Sequence, residues 1–194
     1  MAIAPVCGTL INGQNFSCAS PNSRFYQQVV LINFSDFATK TINTDSTGET
    51  CNHNIQFTLK AGKKGVRFSF SENGSVVSGT YDKSSNDQGY PQFAHTVNMA
   101  LAGADEATKC AIESMTRGRF VVALQMGEIV EVYGAQNGLS AGDFTADPQG
   151  NSGFIPLTLT SNENSPEPHV PLVYKSAATG QEIEDFDANF EAAG

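Results

Sequence analysis

The residues of this 194-residue chain whose types can do chemistry are three histidines, four cysteines and a few loop carboxylates. His53, His95 and His169 are far apart in sequence, each on a strand or a Pro-rich connector. His95 falls on the same strand face as Phe93 and Val97, which reads as a satisfied sheet histidine, not a metal ligand or base. Cys7, Cys18, Cys51 and Cys110 have no CxxC spacing. Reduced thiols are the default reading, a Cys7–Cys18 bridge the sharper one and a zinc site the weakest. Cys110 lies mid-helix, away from any helix N-terminus that would favour its thiolate. Asp143, Asp147 and Asn151 are oxygen ligands in principle, but their spacing matches no EF-hand, and turn-forming roles fit better. Gly62-Lys63-Lys64-Gly65 lacks the spacing and following helix of a phosphate loop. Trp is absent and no carboxylate pair stands out, so glycoside hydrolysis is dropped. The sequence predicts no catalytic site, no metal and no cofactor: the chain reads as a scaffold, not an enzyme.

A net charge of −9 sets the class of partner. Coating nucleic acid requires clustered Lys and Arg, whereas an acidic wall lets DNA pass without sticking. The segment 1–7 has neither the basic region nor the apolar run of a secretory signal, which favours reduced thiols. No stretch of about 18 apolar residues is present, so no membrane span is expected.

The elements follow from periodicity. Residues 1–26 form a polar arm with no alternation to bury. Residues 27–34 (QQVVLINF) read as the first strand, and consecutive Val29, Val30, Leu31 and Ile32 imply burial on both faces. Ile55, Phe57 and Leu59 alternate with polar residues, and Val66, Phe68 and Phe70 alternate again. Asn73-Gly74 then signals a hairpin to residues 76–81, so these three strands read as one meander. Residues 82–90 form a polar loop. The strand through Phe93, His95, Val97, Met99 and Leu101 leads to a helix over 104–117. Its apolar stripe is Ala104, Ala107, Ala111 and Met115, with Cys110 and Ile112 beside it, and Gly118 reads as its left-handed C-cap. A hairpin over 120–133 turns at Met126-Gly127.

Residues 134–153 hold five glycines. A loop so adaptable is expected to make subunit contacts through Gly134, Gly138, Leu139, Phe144 and Gly150, with Leu139 and Phe144 needing cover. A further strand carries Ile155, Leu157 and Leu159. Pro166, Pro168 and Pro171 stiffen the connector that follows. In the acidic tail, Ile183, Phe186 and Phe190 recur at three and four. That allows a short amphipathic helix, a segment folding on a partner, or a solvated tail. The organisation is an arm at 1–26, a β domain at 27–175 and an acidic tail at 176–194.

Several phrases occur in a telling order: QQVVLINFSDF, VSGTYDKSSNDQGYPQFAHTVNM, ESMTRGRFVVAL, VEVYGAQNGLSAGD and FIPLTLTSNENSP. Over roughly residues 25–172 the chain resembles virion structural proteins of tailed phages and prophages of Bacteroidetes-type bacteria, most of all tail tube proteins. The resemblance implies a mainly β fold, an antiparallel β-sandwich or barrel with one flanking α-helix. It implies hexameric rings stacked into a conduit, through which DNA passes without specific binding. The implied partners are copies of itself and other virion tail proteins, and the implied location is the virion tail, assembled in the host cytoplasm. Two alternatives stand beside it. One is another virion protein: a capsid decoration, head–tail connector or neck ring. The other is a monomeric β-sandwich ligand-binding module, for which Tyr90 and Phe144 are the candidate loop aromatics.

Overall fold

The structure, a computed structural model, describes residues 28–44, 46–47, 50–69, 77–102, 106–145, 147, 149–151, 153–178 and 180–190. The N-terminal arm with Cys7 and Cys18, and the Asn73-Gly74 turn, lie outside the described residues.

The first six strands form one ribbon that doubles back on itself. β1 (Gln28–Asn33) passes through a 3-10 turn (Phe34–Asp36) into β2 (Phe37–Asn43) and the short β3 (Ser46–Thr47). β4 (Thr50–Cys51), β5 (Asn54–Leu59) and β6 (Val66–Ser69) return along it. Thr47 lies opposite Thr50, Asn43 opposite Asn54 and Leu31 opposite Val66, so one register runs from tip to base, with a local shift at Phe37. This corrects the expected meander. β5 pairs with β2, β6 with β1, and the strand after them with a later partner. The alternation of Ile55–Leu59 correctly marks a half-buried strand, whereas in β6 Val66 is exposed and Arg67 and Phe68 are partly buried; periodicity proposes the face of a strand and not its neighbour.

A second long hairpin joins β7 (Val77–Ser85) to β8 (Pro91–Ala102). The predicted polar loop over 82–90 narrows to a turn at 86–90, because residues 82–85, polar and exposed, continue β7. At its tip Asn86 Oδ1 accepts the amides of Gln88 and Tyr90 at 3.1 and 2.8 Å, a side-chain-closed turn. α1 (Glu106–Arg117) follows, then β9 (Phe120–Met126), β10 (Ile129–Tyr133), β11 (Leu139–Ala141), β12 (Phe154–Ser161), β13 (Leu172–Tyr174) and α2 (Glu182–Phe190). The β9–β10 turn is Gly127-Glu128, one residue later than expected, because Met126 pairs with Ile129.

The fold is mainly β. The strand order is β2-β5-β13-β10-β9-β11-β12-β8-β7, with β1 paired to β9 and carrying β6. All pairs are antiparallel except β13 with β5. β1 and β9 separate two cores, as their unbroken apolar runs require. Val29, Leu31, Val122 and Leu124 face Val97, Met99, Leu157 and Leu159 of β8 and β12. Val30, Ile32, Val121 and Ala123 face Ile55, Phe57, Leu172 and Tyr174 on the other side. Each such side chain, fully buried, stabilises the fold by about 1.5–3 kcal/mol before the entropy of ordering it.

Both helices cover this framework. α1 buries Ile112 and Met115, with Ala111 partly buried, while Ala107 and Cys110 are exposed. The expected stripe therefore holds at Ala111 and Met115, with Ile112 beside them, and departs from the core at Ala107. Gly118 is absent from the positive-φ glycines; its need is spatial, since a Cβ there would lie 2.1 Å from the Phe120 ring. In the tail the amphipathic-helix reading holds. Phe186 of α2 is fully buried in the second core and Ile183 packs beside it. Arg67 pairs with Asp187 at 2.9 Å, Lys175 with Glu182 at 3.6 Å, and the Ser176 hydroxyl donates to Asp185. Phe186→Ala is expected to cost about 2 kcal/mol, less than a central core truncation because a terminal helix can undock by itself. Loss of amide-exchange protection confined to α2, with the strands unchanged, checks this.

Candidate functional site

The fold brings the three histidines to one place, which their sequence positions hide. The Pro-rich connector, residues 162–171, lies as a strap across β5, β8 and the β10–β11 turn. His95 on β8 is 1% exposed. The Gly134 amide donates to its Nδ1 at 3.1 Å, which leaves the proton on Nε2, and Nε2 donates to the His169 carbonyl at 2.9 Å. His53 Nε2 lies 3.3 Å from the Val170 carbonyl, and the His53 and His169 rings meet edge-on with centroids 6.3 Å apart. Tyr133 and Tyr81 pack against the His95 ring at 5.5 and 6.4 Å. Burial drives the His95 pKa down to about 4, opposed in part by its bond to His169. His95 is thus a satisfied core histidine, as its strand face predicted.

Glu167 is the residue that sequence reasoning missed. It is 2% exposed. Its main chain exchanges two hydrogen bonds with Phe93 at 2.8 and 2.9 Å, extending the β8 edge by one bridge. Its carboxylate accepts the amides of Gln136 and Asn137 at 2.9 and 2.7 Å. Asn137 Nδ2 in turn donates to the Pro166 carbonyl at 2.7 Å, and Lys40 Nζ donates to the Ala135 carbonyl at 2.6 Å. Burial raises the Glu167 pKa, against the pull of these amides and of the Lys40 charge. Burial also lowers the Lys40 pKa, with the Glu167 charge opposing. The one available signal is chemical: in Pro166-Glu167-Pro168 both neighbours lack an N–H, so within that tripeptide only the glutamate offers a main-chain donor and an anion.

These contacts revise the expected contact loop. Gly134 and Gly138 have φ of +69° and +78° and close a tight turn, the Gly138 amide donating to the Gly134 carbonyl at 2.9 Å. Leu139 is fully buried on β11 in the first core, so its own domain covers it and it is not available to a neighbour. Phe144 is partly buried against the same core. Gly150 is exposed, and its amide donates to Asp147 Oδ1 at 3.0 Å, so Asp147 forms a turn as expected. Of the five, only Gly150 and the half-buried Phe144 remain at the surface. Tyr90, at 68%, is more exposed than Phe144.

At the strap, the deeply buried His95 and Glu167 serve the fold. Both nitrogens of His95 and both oxygens of Glu167 are engaged with the fold itself. Among the described residues no group of three His, Cys, Asp or Glu is placed to hold a metal ion. An open cleft of about 400 Å³ is lined by Asn43, Asn52, Asn54, Gln56, Lys175, Ser176 and Glu182. Its polar groups largely bond one another, as in Asn43 Nδ2 to Asn54 Oδ1 at 3.0 Å and Gln56 Nε2 to the Ser176 carbonyl at 3.2 Å. No helix of the described residues is long and apolar enough to cross a membrane.

What the fold leaves open is strand edge. Among the described residues β7 pairs with β8 alone over nine residues, β2 with β5 alone and β6 with β1 alone. Val66 and Tyr81 on these strands are each 50% exposed. No protein-family model, curated protein or solved structure matches the chain.

Proposed function

We propose that the protein is a self-assembling structural subunit, and that its place is the tube of a phage tail. The observation that carries the reading is the open strand edges, β7 above all. A long open edge in a monomer invites unwanted pairing, and monomeric proteins blunt such edges with bulges, prolines, charged side chains or a covering element, of which β7 carries the charged Asp82 and Lys83. Here β7 presents nine residues whose outer hydrogen-bonding groups have no strand partner among the described residues. Pairing β7 of one copy with an edge of the next satisfies those groups and joins copies head to tail, a geometry that closes into rings. The mainly β framework and the net charge of −9 fit a conduit wall that DNA slides past. The sequence resemblance supplies the phage assignment.

Purified protein examined by sedimentation and negative-stain microscopy is expected to form rings or stacked tubes. A homogeneous 20.6 kDa species at all accessible concentrations would instead point to the monomeric binding module. Placing a proline at Lys83 on β7 should suppress assembly while the monomer stays folded, because this exposed residue lies opposite Phe93, whose main-chain groups bond Glu167, so the Lys83 amide faces the open edge and not β8.

A further inference from the structure

Five of the eleven basic residues gather around the β1–β2 turn. The Arg119 guanidinium lies 3.9 Å and the Lys40 Nζ 4.8 Å from the centroid of the Phe34 ring. Lys60 Nζ donates to the Ser35 carbonyl at 2.6 Å, and the Lys63 amide closes a turn onto the Lys60 carbonyl, placing Lys63 and Lys64 beside it. Between Asn33–Ser35 and Gly118–Arg119 is a cleft of about 310 Å³. The carboxylates near this region, Asp36 and Glu167, are buried and already held by Asn33 and by the β10–β11 turn. Lys60, Lys63, Lys64 and Arg119 are exposed and have no ion-pair partner among the described residues. On a chain of net charge −9, this is a segregated cationic surface.

The complementary surface is α2. It carries Glu182, Glu184, Asp185 and Asp187 and no base. The carboxylates turned toward the domain are held by Lys175, Ser176 and Arg67. Glu184 is exposed, and Asp187, one turn along, keeps its side chain 49% exposed even though Arg67 holds its Oδ1.

We infer that the basic cleft at Phe34–Arg119 is a socket for the outer acidic face of α2 from a second copy of this chain. The inference rests on the self-assembly reading and adds a second contact to it. Because socket and helix are different patches of one molecule, the contact is heterologous and propagates instead of closing a two-fold dimer. A strand-edge contact alone fixes pairing but not which neighbour is accepted. Opposite charges at a rim select the partner and speed encounter. Duplex DNA is the weaker occupant, because the remaining acidic surface repels phosphate.

The test is charge reversal in the full chain. Lys63→Glu with Lys64→Glu alters only exposed turn residues, and Glu184→Lys with Asp187→Lys alters the helix. Each pair is expected to raise the concentration needed for assembly about tenfold or more, read by sedimentation velocity, and an equimolar mixture of the two is expected to restore assembly. If circular dichroism shows that the helix double variant loses structure, Glu184→Lys alone replaces it. Wild-type assembly that both reversals leave untouched overturns the socket and spares the assembly reading. Wild-type protein that never assembles overturns both. A duplex-DNA mobility shift that is abolished by the Lys63 and Lys64 reversals also overturns the socket, since the patch would then be a nucleic-acid contact.

Discussion

Glu167→Ala is expected to lower the unfolding free energy by about 2–4 kcal/mol, measured by denaturant titration at pH 7.5. The truncation removes the acceptor of two amide hydrogen bonds, at 2.9 and 2.7 Å, whose donors Gln136 and Asn137 have no replacement in the turn. It also leaves Lys40 facing a void where a carboxylate had opposed the cost of its burial. The Glu167 main-chain bridge to Phe93 survives the change, so the strap stays in register while its grip on the β10–β11 turn goes. Glu167→Gln retains one acceptor oxygen and turns an NH2 toward the second amide, so about half the loss is expected. A cost below about 0.5 kcal/mol for Glu167→Ala would mean that water replaces the carboxylate freely, and that the strap does not fasten the turn.

How far such a residue was legible depends on what the sequence encodes locally. The double burial of β1 was legible because Val29–Ile32 leave no polar residue to face water, and the structure buries all four. The face of His95 was legible from Phe93 and Val97. The strand partners were not. Residues 54–69 read as two arms of a meander, yet they form the return limb of a single ribbon whose tip is Thr47 and Thr50. A turn signal such as Asn73-Gly74 is local chemistry, whereas pairing is decided by which apolar face finds a complementary core. Leu139 shows the same limit. Lying among glycines, it looked like an uncovered apolar residue, and only the pairing with Phe120 and Ser161 reveals that β11 carries it into the core. The histidine convergence and the Glu167 anchor depend on contacts between residues 30 to 117 positions apart, and no periodicity reports those.

The same long-range knot makes the fold acid-sensitive in a defined window. His95 is held neutral, with its pKa lowered from 6.5 to about 4. An unfolded chain takes up a proton at this residue as pH falls below 6.5, while the native chain refuses it until about 4. The stabilisation is therefore complete above pH 6.5 and is lost progressively between 6.5 and 4. At about 1.4 kcal/mol per pH unit, the total loss from this residue is about 3 kcal/mol. His169 acts in the same direction, its pKa lowered by burial and by the neighbouring His53. Glu167 acts oppositely: its raised pKa lets the native state take up a proton before the unfolded one, which offsets part of the acid loss. The groups facing His95 from other elements are the ring of Tyr133, the ring of Tyr81, the Gly134 amide and the His169 carbonyl, none of which supplies a charge to favour imidazolium. His95→Gln removes the titration while leaving a donor for the His169 carbonyl. It is expected to be less stable than wild type at pH 7.5, because the Gly134 amide loses its acceptor, and to show a much flatter stability profile between pH 6.5 and 4. The difference between wild type and variant should shrink steadily as pH falls through that window. Parallel profiles for the two proteins would show that the acid sensitivity arises elsewhere, and would remove His95 as the group that ties the strap to pH.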